Sequence, residues 1–365
     1  METIVDQITG GTWAGTILSD SQVINILARS QEPIVLWGFG LYAEYVFRIL
    51  QKHHLRIDAV FADEPEQDAR FHDHAVRRFE DVRLKFGRFI IVRGNGNLMR
   101  EAEYRQKEGV VAVYSFFDLM GFGWHLSPSA IQRMAPSLDL LYRSLSDETS
   151  KKSFFAYLTA RYLGSWMFIQ EHFCPDIYFP GFLLLRPDEV FVDCGAYNGD
   201  TFREFQSRVP SWDTYVAFEP AAGPLQSLKS YVARSALNGK MHVYQIGLWS
   251  HEAKLKFIEE NDVSRIVESG ADVQGSVVSV TTIDHICRGM NVSYIKMDLE
   301  GSEMEALKGA QEVIAACKPK LAVSLYHKQS HLIEVFDYLR QLNSAYQFFF
   351  RIHTKVGSDA VLYAI

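Results

Sequence analysis

The C-terminal half of the sequence alternates short apolar runs with segments of helical periodicity, and this alternation restricts the fold more than any other feature. The apolar runs predict strands at residues 190–194, 215–219, 242–246, 294–298, 321–326, 346–352 and 360–364. Helical patterns lie between several of them, at residues 202–207, 224–236, 302–317 and 331–342. The last two strands have no helix between them and predict a hairpin. Together these elements predict an α/β fold with a doubly wound, mainly parallel sheet that ends in an antiparallel hairpin.

A second strand–turn–helix–strand pattern lies near the N-terminus. The apolar run 34–37 is followed by Gly38-Phe39-Gly40-Leu41-Tyr42-Ala43, by helical spacing to about residue 53, and by a strand at 57–62 that ends at Asp63. This GxGxxA turn with a following acid has the geometry of a dinucleotide-binding fingerprint. Further strands at 89–92 and 110–114 predict a smaller N-terminal Rossmann-like α/β domain. Gly38, Gly40 and Asp63 form a candidate nucleotide site, although such turns also occur in domains that bind nothing.

The length of the chain agrees with two domains. A domain typically has about 150 residues, and this chain has 365. Between the two α/β regions, apolar residues recur every three or four positions and predict two or three helices. We therefore expect an N-terminal domain at 1–125, a helical bridge at 126–175 and a second domain at 176–365.

Charge and composition exclude several classes of protein. The net charge of −7 lacks the basic excess typical of proteins that wrap duplex nucleic acid. No apolar run approaches the roughly 20 residues of a membrane span, and the first residues lack the basic and apolar regions of a signal peptide. The four cysteines form no CxxC pair and are expected to be reduced. We therefore expect a cytoplasmic protein that binds neither nucleic acid nor membrane.

Chemistry-bearing residues gather where the predicted C-terminal strands end. Ligands of doubly wound sheets bind at the carboxyl ends of the strands. Gly195 and Gly199 follow the first strand and permit a sharp turn and the close approach of a ligand. Glu219 ends the second strand, where an acid can accept hydrogen bonds from both hydroxyls of a ribose. These positions predict a nucleoside ligand.

The charges at these strand ends indicate which nucleoside to expect. Five acids gather near the predicted crevice: Asp193, Asp200, Glu219, Asp298 and Glu300. They would repel a pyrophosphate in a cleft of low dielectric constant and attract a cation. The crevice therefore suits S-adenosylmethionine (SAM), with its ammonium and sulfonium groups, better than NAD.

Two stretches of sequence resemble the FkbM-type methyltransferase family. These are residues 192–201 (VDCGAYNGDT) and residues 295–303 (IKMDLEGSE), accompanied by TTID at 281–284, LKGA at 307–310 and YHK at 326–328. The resemblance covers about residues 175–365. It implies a class I methyltransferase fold that uses SAM to methylate a hydroxyl, often on a sugar or a polyketide-derived product. A nucleotide sugar held by the N-terminal domain is an acceptor that would link the two halves of the chain.

Residue roles follow from the strand ends and from this resemblance. The predicted SAM-binding residues are Asp193, Gly195, Ala196, Tyr197, Gly199, Thr201, Glu219, Pro220 and Asp298. His327 is the predicted general base, because its pKa suits proton removal near neutrality, and Asp298 is expected to line the acceptor site. A structural histidine and a helix-capping Glu300 are the competing interpretations. Asp298 and Glu300 could also hold Mg²⁺, but such acid pairs are common and we expect no metal.

Two other functions stay open at this point. One is a non-catalytic scaffold that binds SAM or a nucleotide. The other is an NAD-linked oxidoreductase that uses Gly38 to Asp63, although no catalytic tyrosine–lysine pair accompanies that turn. The expected partner is a small-molecule or carbohydrate acceptor, and the sequence leaves a homo-oligomer open.

Overall fold

A computed structural model describes residues 2–10, 18, 20–95, 100–116, 124–164, 166–234, 237, 239–260, 263–267, 275–354 and 359–365. The chain forms two compact units. The N-terminal unit comprises Asp6–Gln132 and Ala156–Glu171, and the C-terminal unit comprises Met1–Val5, Arg133–Phe155 and His172–Ile365. Within the described ranges, no helix combines the length and the apolar character that crossing a bilayer requires.

Among the described residues, the first part of the chain contains six strands and seven α-helices. In chain order they are α1 (Ile4–Gly10), α2 (Asp20–Arg29), β1 (Ile34–Trp37), α3 (Leu41–Lys52), β2 (Ala59–Phe61), β3 (Arg70–Phe71), β4 (His74–Arg77), α4 (Phe79–Phe86), β5 (Phe89–Arg93), α5 (Glu101–Arg105), β6 (Val110–Tyr114), α6 (Pro128–Ser144) and α7 (Glu148–Leu163). A 3-10 helix, Trp166–His172, follows.

The N-terminal unit is built on a six-stranded sheet in the order β3-β4-β2-β1-β5-β6. All four residues of β1 are buried, as expected of a central parallel strand with a covered surface on each side. Helix α3 packs Ala43, Val46 and Leu50 into the core on one side of this sheet. The predicted Rossmann-like α/β domain is therefore confirmed.

The helices of the predicted bridge, 126–175, are present. Helix α7 begins after Asp147, whose side chain accepts a hydrogen bond from the Ser150 N–H at 2.6 Å and so caps the helix. Residues of this stretch divide between the two compact units. The domain limits at 125 and 175 stay a prediction.

The described ranges of the second part of the chain contain eleven strands and six α-helices. They are β7 (Val190–Cys194), α8 (Asp200–Arg208), β8 (Thr214–Phe218), α9 (Ala222–Arg234), β9 (Met241–Tyr244), β10 (Gly247–Leu248), β11 (Ala253–Glu260), β12 (Val263–Val267), β13 (Ser276–Thr281), α10 (Ile283–Ile286), β14 (Tyr294–Met297), α11 (Glu303–Lys308), α12 (Gln311–Cys317), β15 (Lys320–Ser324), α13 (His331–Leu342), β16 (Phe348–Ile352) and β17 (Ala360–Ala364).

The main sheet of the C-terminal unit has seven strands in the order β16-β17-β15-β14-β7-β8-β9. The pairs β14–β15, β14–β7, β7–β8 and β8–β9 are parallel, whereas β17 runs antiparallel to β15 and β16. This arrangement confirms the predicted doubly wound sheet with its terminal antiparallel hairpin. Aromatic side chains fill the core on one face, where the Phe191 and Tyr215 rings stack with centroids 5.0 Å apart.

The structure differs from the sequence-based prediction at residues 302–317, where one helix was expected and two are present. Helices α11 and α12 are separated by Gly309 and Ala310, and position 309 requires glycine because a Cβ atom there would lie 2.2 Å from the Trp249 carbonyl oxygen. The carboxylate of Asp284 then caps α12 by accepting hydrogen bonds from the backbone N–H groups of Glu312 and Val313, at 3.0 and 2.8 Å. Long-range contacts thus override the helical periodicity.

A second feature was not expected from the sequence. Between β9 and β14 the chain forms a separate four-stranded sheet in the order β10-β13-β11-β12. Strands β11 and β13 pair antiparallel over five residue pairs, from Ala253–Val280 to Phe257–Ser276. The buried side chains of this small sheet include Leu255, Phe257 and Val280.

A buried ion pair joins the two central strands of the main sheet. Lys296 on β14 lies opposite Asp193 on β7 in the strand register. Its ammonium nitrogen is 3.1 Å from Asp193 Oδ1 and donates a hydrogen bond to the Gly195 carbonyl oxygen at 2.6 Å. Asp193 also accepts a hydrogen bond from the Tyr215 hydroxyl at 2.6 Å. Burial alone would lower the pKa of Lys296, but the carboxylates of Asp193 and Asp298 outweigh it and hold that pKa above its usual value.

We predict that Lys296→Met destabilises the protein by about 3–5 kcal/mol, because it leaves the Asp193 carboxylate buried without its cation. The double variant Asp193→Asn/Lys296→Met should recover part of this loss. Denaturant unfolding of the two variants and the wild type measures both effects. Equal stability of Lys296→Met and wild type would contradict the assigned role of the pair.

Candidate functional site

The site lies where the chain reverses its winding direction, between β7 and β14. The turn after β7 begins at Gly195, whose φ of +89° and close surroundings both require glycine. A Cβ atom at this position would lie 2.0 Å from the backbone carbonyl oxygen of Asp298, at the end of β14. The two loops therefore touch through their backbones and form the floor of the crevice.

A cavity of about 560 Å³ opens at this edge of the sheet. It is lined by residues from the β7, β8 and β14 loops, from the small inserted sheet and from the start of β17. The polar and charged lining residues are Tyr178, Tyr197, Asp200, Thr201, Glu204, Glu219, Lys296, Asp298, Glu300, Ser302 and Asp359. The apolar lining includes Ile246, Leu248, Phe257 and Ile266. Acids thus outnumber bases around this cavity.

Glu219 is fixed at the end of β8 by two backbone groups. Its Oε2 accepts a hydrogen bond from the Tyr197 N–H at 3.0 Å, and its Oε1 accepts one from the Ala221 N–H at 2.8 Å. Burial raises the pKa of this carboxyl group, and the two hydrogen bonds oppose that rise. Each carboxylate oxygen has two acceptor sites, so the group can still accept hydrogen bonds from a ligand in the cavity.

The structure brings six of the nine predicted SAM-binding residues to this cavity. They are Gly195, Tyr197, Thr201, Glu219, Pro220 and Asp298. The other three do not line it. Asp193 is fully buried with Lys296 and Tyr215, Ala196 is buried, and Gly199 starts α8 with a φ of +84°. We therefore find Asp193 and Gly199 shaping the turn from beneath, while their direct role toward a ligand stays a prediction.

Asp298 is held by two tyrosines. Its Oδ2 accepts a hydrogen bond from the Tyr178 hydroxyl at 2.7 Å, and its Oδ1 accepts one from the Tyr326 hydroxyl at 3.1 Å. The carboxylate is thereby oriented at the floor of the cavity, next to the Gly195 turn.

His327 lies behind the cavity lining among carboxylates. Its side chain is only 1% exposed, with Nδ1 2.7 Å from Glu303 Oε1 and Nε2 3.2 Å from Glu300 Oε2. Glu303 also lies 3.2 Å from Nδ1 of His331 and accepts a hydrogen bond from the Leu299 N–H at 2.9 Å. Glu303 is the first residue of α11 and fixes the loop that precedes it, while Glu300, suggested by the sequence as a helix cap, pairs with His327 instead.

These contacts set the protonation state of His327. Burial acts to lower its pKa, but the adjacent carboxylates of Glu303 and Glu300 outweigh burial and hold the pKa well above its usual value. Burial likewise acts to raise the pKa of Glu303, but His327 and His331 hold it well below its usual value. Both ring nitrogens of His327 therefore face carboxylates that favour its doubly protonated, positively charged form. This arrangement favours a charged structural role over the predicted role of general base.

The same cluster meets one requirement of a metal site. Three possible ligand atoms, one each from Asp298, Glu303 and His327, all lie within 4.8 Å of one another. A metal-binding histidine must offer an unprotonated nitrogen, and both ring nitrogens of His327 lie against carboxylates. Binding of a cation here would require His327 to give up a proton and one of these carboxylate contacts.

Asp359 is a lining residue that the sequence did not reveal. Burial raises its pKa to about 7, and the negative charges of Asp298 and Glu300 add to this effect while His327 opposes it. Asp359 hydrogen-bonds with Tyr326, which also bonds Asp298. The residue escaped notice because it precedes a strand. Since β17 is antiparallel, its start lies at the edge where the parallel strands end, so the predicted hairpin was the signal that could have revealed it.

The predicted N-terminal residues also lie together. Gly38, Gly40 and Asp63 line a second cavity of about 400 Å³, which lies entirely within the N-terminal unit. Asp63 accepts a hydrogen bond from the Tyr104 hydroxyl and lies 2.8 Å from the Arg100 guanidinium. Whether this cavity holds a nucleotide stays a prediction at this point.

We predict that Glu303→Gln destabilises the protein by about 3–5 kcal/mol at pH 7, since it leaves a buried imidazolium without its main counter-ion. The exposed Glu312→Gln serves as the matched control and should change the unfolding free energy by less than about 0.5 kcal/mol. Denaturant unfolding at pH 7 measures the difference. A loss as small as that of the control would mean that His327 is neutral.

Comparisons with known proteins agree with this fold. Residues 193–348 match the family model described as methyltransferase FkbM domain. The fold resembles the crystal structure of the methyltransferase FkbM from Methylobacillus flagellatus KT, with a TM-score of 0.76 and 20% sequence identity over 99% of this chain and 98% of that chain. Fibrillarin from Aeropyrum pernix, solved with SAM, matches 50% of this chain and 70% of its own at 10% identity, and its TM-score of 0.31 is too low to carry an argument. No curated protein sequence matches the chain.

Proposed function

We propose that this chain, whose residues 193–348 carry an FkbM methyltransferase domain, transfers a methyl group from SAM to a hydroxyl oxygen of a small acceptor. The acceptor classes that we propose are a sugar, a nucleotide sugar or a polyketide-type product. The observation that carries the SAM assignment is Glu219, which is aimed into the cavity with both oxygens positioned by backbone N–H groups. A carboxylate at this strand end accepts hydrogen bonds from the two hydroxyls of a ribose.

The charges of the cavity support the same ligand. Asp200, Glu204, Asp298, Glu300 and Asp359 all line it, so a cation is attracted and a pyrophosphate is repelled. The apolar lining from Ile246 to Leu248, together with the inserted sheet, provides a surface that suits a flat base. When bound, SAM supplies an electrophilic methyl group on a sulfonium.

The residues of the chain must also deal with the acceptor proton. A hydroxyl oxygen becomes a sufficient nucleophile as a positioned base removes its proton. Asp298 is oriented by two tyrosines at the cavity floor, and we propose that it positions the acceptor hydroxyl. Asp359, with a pKa of about 7, is our candidate for the group that receives the proton, because a base poised near neutrality is both deprotonated and basic enough.

In this proposal His327 does not act as the general base that the sequence predicted. A doubly protonated imidazole cannot accept a proton. Its positive charge instead lowers the cost of gathering Asp298, Glu300 and Glu303 in one buried region. His327 is therefore a positioning residue for the acidic wall.

We predict that Glu219→Gln lowers the affinity for SAM and for S-adenosylhomocysteine at least tenfold. The amide can accept from only one of the two backbone N–H groups and brings an N–H₂ group against the other. Isothermal titration calorimetry measures the affinities, with the exposed Glu312→Gln as the matched control. An unchanged affinity in Glu219→Gln would exclude the ribose assignment, and no binding of SAM by the wild type would exclude the proposed function.

The raised pKa of Asp359 also predicts a pH dependence of stability. The folded state holds this proton up to about pH 7, whereas an unfolded aspartate releases it near pH 4. Stability is therefore lost as the pH rises between these values. Asp359→Asn has no proton to lose in this range. The free energy of unfolding of this variant, relative to that of the wild type, should therefore rise by about 2–3 kcal/mol between pH 5 and pH 8. Denaturant unfolding at both pH values tests this, with the exposed Asp73→Asn as control, and an advantage that does not change with pH would refute it.

A further inference from the structure

We propose that the cavity of the N-terminal unit binds a ribonucleoside 5′-diphosphate, either free or as the nucleotide part of a larger molecule. This inference is independent of the methyl-transfer site, because every residue that lines the cavity belongs to the N-terminal unit. It would give this unit a ligand of its own.

The cavity lies where ligands bind in doubly wound sheets. In the sheet order β3-β4-β2-β1-β5-β6, strands β2 and β5 flank β1 on opposite sides. The chain therefore reverses its winding direction between β1 and β5, and a crevice is expected outside the carboxyl ends of these strands. The cavity of about 400 Å³ is lined by the residues that follow β1, β2 and β5, among them Gly38, Asp63 and Gly94.

Two glycines of this region are explained by packing. A Cβ atom at Gly38 would lie 2.4 Å from the Gly94 carbonyl oxygen, and one at Gly94 would lie 2.8 Å from the Ala43 Cα. These contacts join the turn after β1, the turn after β5 and the start of helix α3. They fix the walls of the cavity.

Gly40 is the N-cap residue of helix α3, a position at which glycine is favoured, and no packing contact adds to that preference. Its φ of −91° is open to any residue, and a Cβ atom built on it meets nothing within 4 Å. Neither backbone strain nor packing requires glycine here, yet Gly40 lines the cavity directly at the start of the twelve-residue helix α3. A side chain would occupy the cavity that this glycine leaves open. The space above Gly40 thus fits a diphosphate approaching the first N–H groups of the helix.

The rim of the cavity offers apolar surface for a base. Phe39 and Leu41 both line the cavity and remain 37% and 48% exposed. Large apolar side chains that stay exposed beside a cavity often mark a ligand surface. An aromatic ring at the mouth suits stacking against a nucleobase.

The charges here differ from those of the methyl-transfer cavity. Asp63 is the acidic residue of the lining, and the Arg100 guanidinium lies 2.8 Å from its Oδ2. The acid is thus balanced by a cation at the corner where a nucleotide ribose lies in this fold. An anionic ligand meets little repulsion in this cavity, in contrast to the acidic cavity around Asp298.

The size of the sheet favours one nucleotide over a dinucleotide. The βαβ unit built from β1, α3 and β2 is complete, with a helix of twelve residues between the strands. Among the described residues between β5 and β6, on the other side of the crevice, helix α5 has five residues. A dinucleotide needs two βαβαβ mononucleotide halves, so this one βαβ unit suits a nucleoside diphosphate.

Isothermal titration calorimetry of the full chain tests the proposal with ADP, UDP, GDP, UDP-glucose, NAD and inorganic pyrophosphate as probes. We expect at least one nucleoside diphosphate or UDP-glucose to bind one per chain, and more tightly than NAD or pyrophosphate. Binding of UDP-glucose at least tenfold tighter than UDP would identify a nucleotide sugar as the source of the diphosphate. Absence of binding by all of the nucleoside diphosphates and UDP-glucose, or tighter binding of NAD or pyrophosphate, would overturn the proposal.

Variants locate the binding. Gly40→Leu fills the cavity without strain and should weaken the bound probe at least tenfold, while SAM binding stays unchanged. Gly181→Leu is the matched control, because a Cβ there also meets nothing within 4 Å, and it should leave both affinities unchanged. Phe39→Ala, at an exposed position, should weaken the probe even if Gly40→Leu folds poorly. Full retention of probe binding in Phe39→Ala and in a folded Gly40→Leu would place the probe elsewhere and overturn the assignment.

Discussion

The ammonium group of Lys296 holds together the part of the C-terminal unit on which the site depends. It lies in the sheet interior between β7 and β14, pairs with Asp193 and bonds the carbonyl of Gly195. This single cation thereby connects the strand that precedes the glycine turn with the strand that delivers Asp298. Because the Gly195 and Asp298 backbones are in contact, a shift in either strand would alter both loops at once. The floor of the cavity is thus set by an interaction that lies beneath it.

Above this floor, the acids that line the cavity and those that lie behind it have different roles. Acids exposed to the cavity make it suitable for a cationic ligand. Behind them, the ring of His327 lies between the carboxylates of Glu300 and Glu303, and Glu303 also contacts His331. The protein can therefore concentrate carboxylates at the cavity, since part of their mutual repulsion is offset by a buried imidazolium. Burial, together with the charges of Asp298 and Glu300, raises the pKa of Asp359 to about 7, so part of that repulsion persists at the cavity.

Much of the fold could be predicted because local and global signals agree in the sheet strands. The runs 190–194 and 360–364 are buried throughout, and their predicted limits match β7 and β17. Prediction failed where a distant group decides the outcome, as when the Asp284 carboxylate caps a second helix, α12, within the stretch expected to form one helix. The site shows the same division. Glu219 could be predicted from its place at a strand end. The charge of His327 could not, because it depends on the closeness of Glu303 and Glu300 in the folded structure.

The small sheet of β10, β13, β11 and β12 has a consequence for how such a site can change. Its strands pair with one another and form a sheet separate from the seven main strands, yet its Phe257 and Ile266 supply part of the cavity wall. Residues of this insertion can therefore vary, or the insertion can be exchanged as a block, without breaking a hydrogen bond of the main sheet. The wall formed by the inserted sheet can therefore change independently, whereas the loops of the main sheet form a wall that depends on the core of the fold.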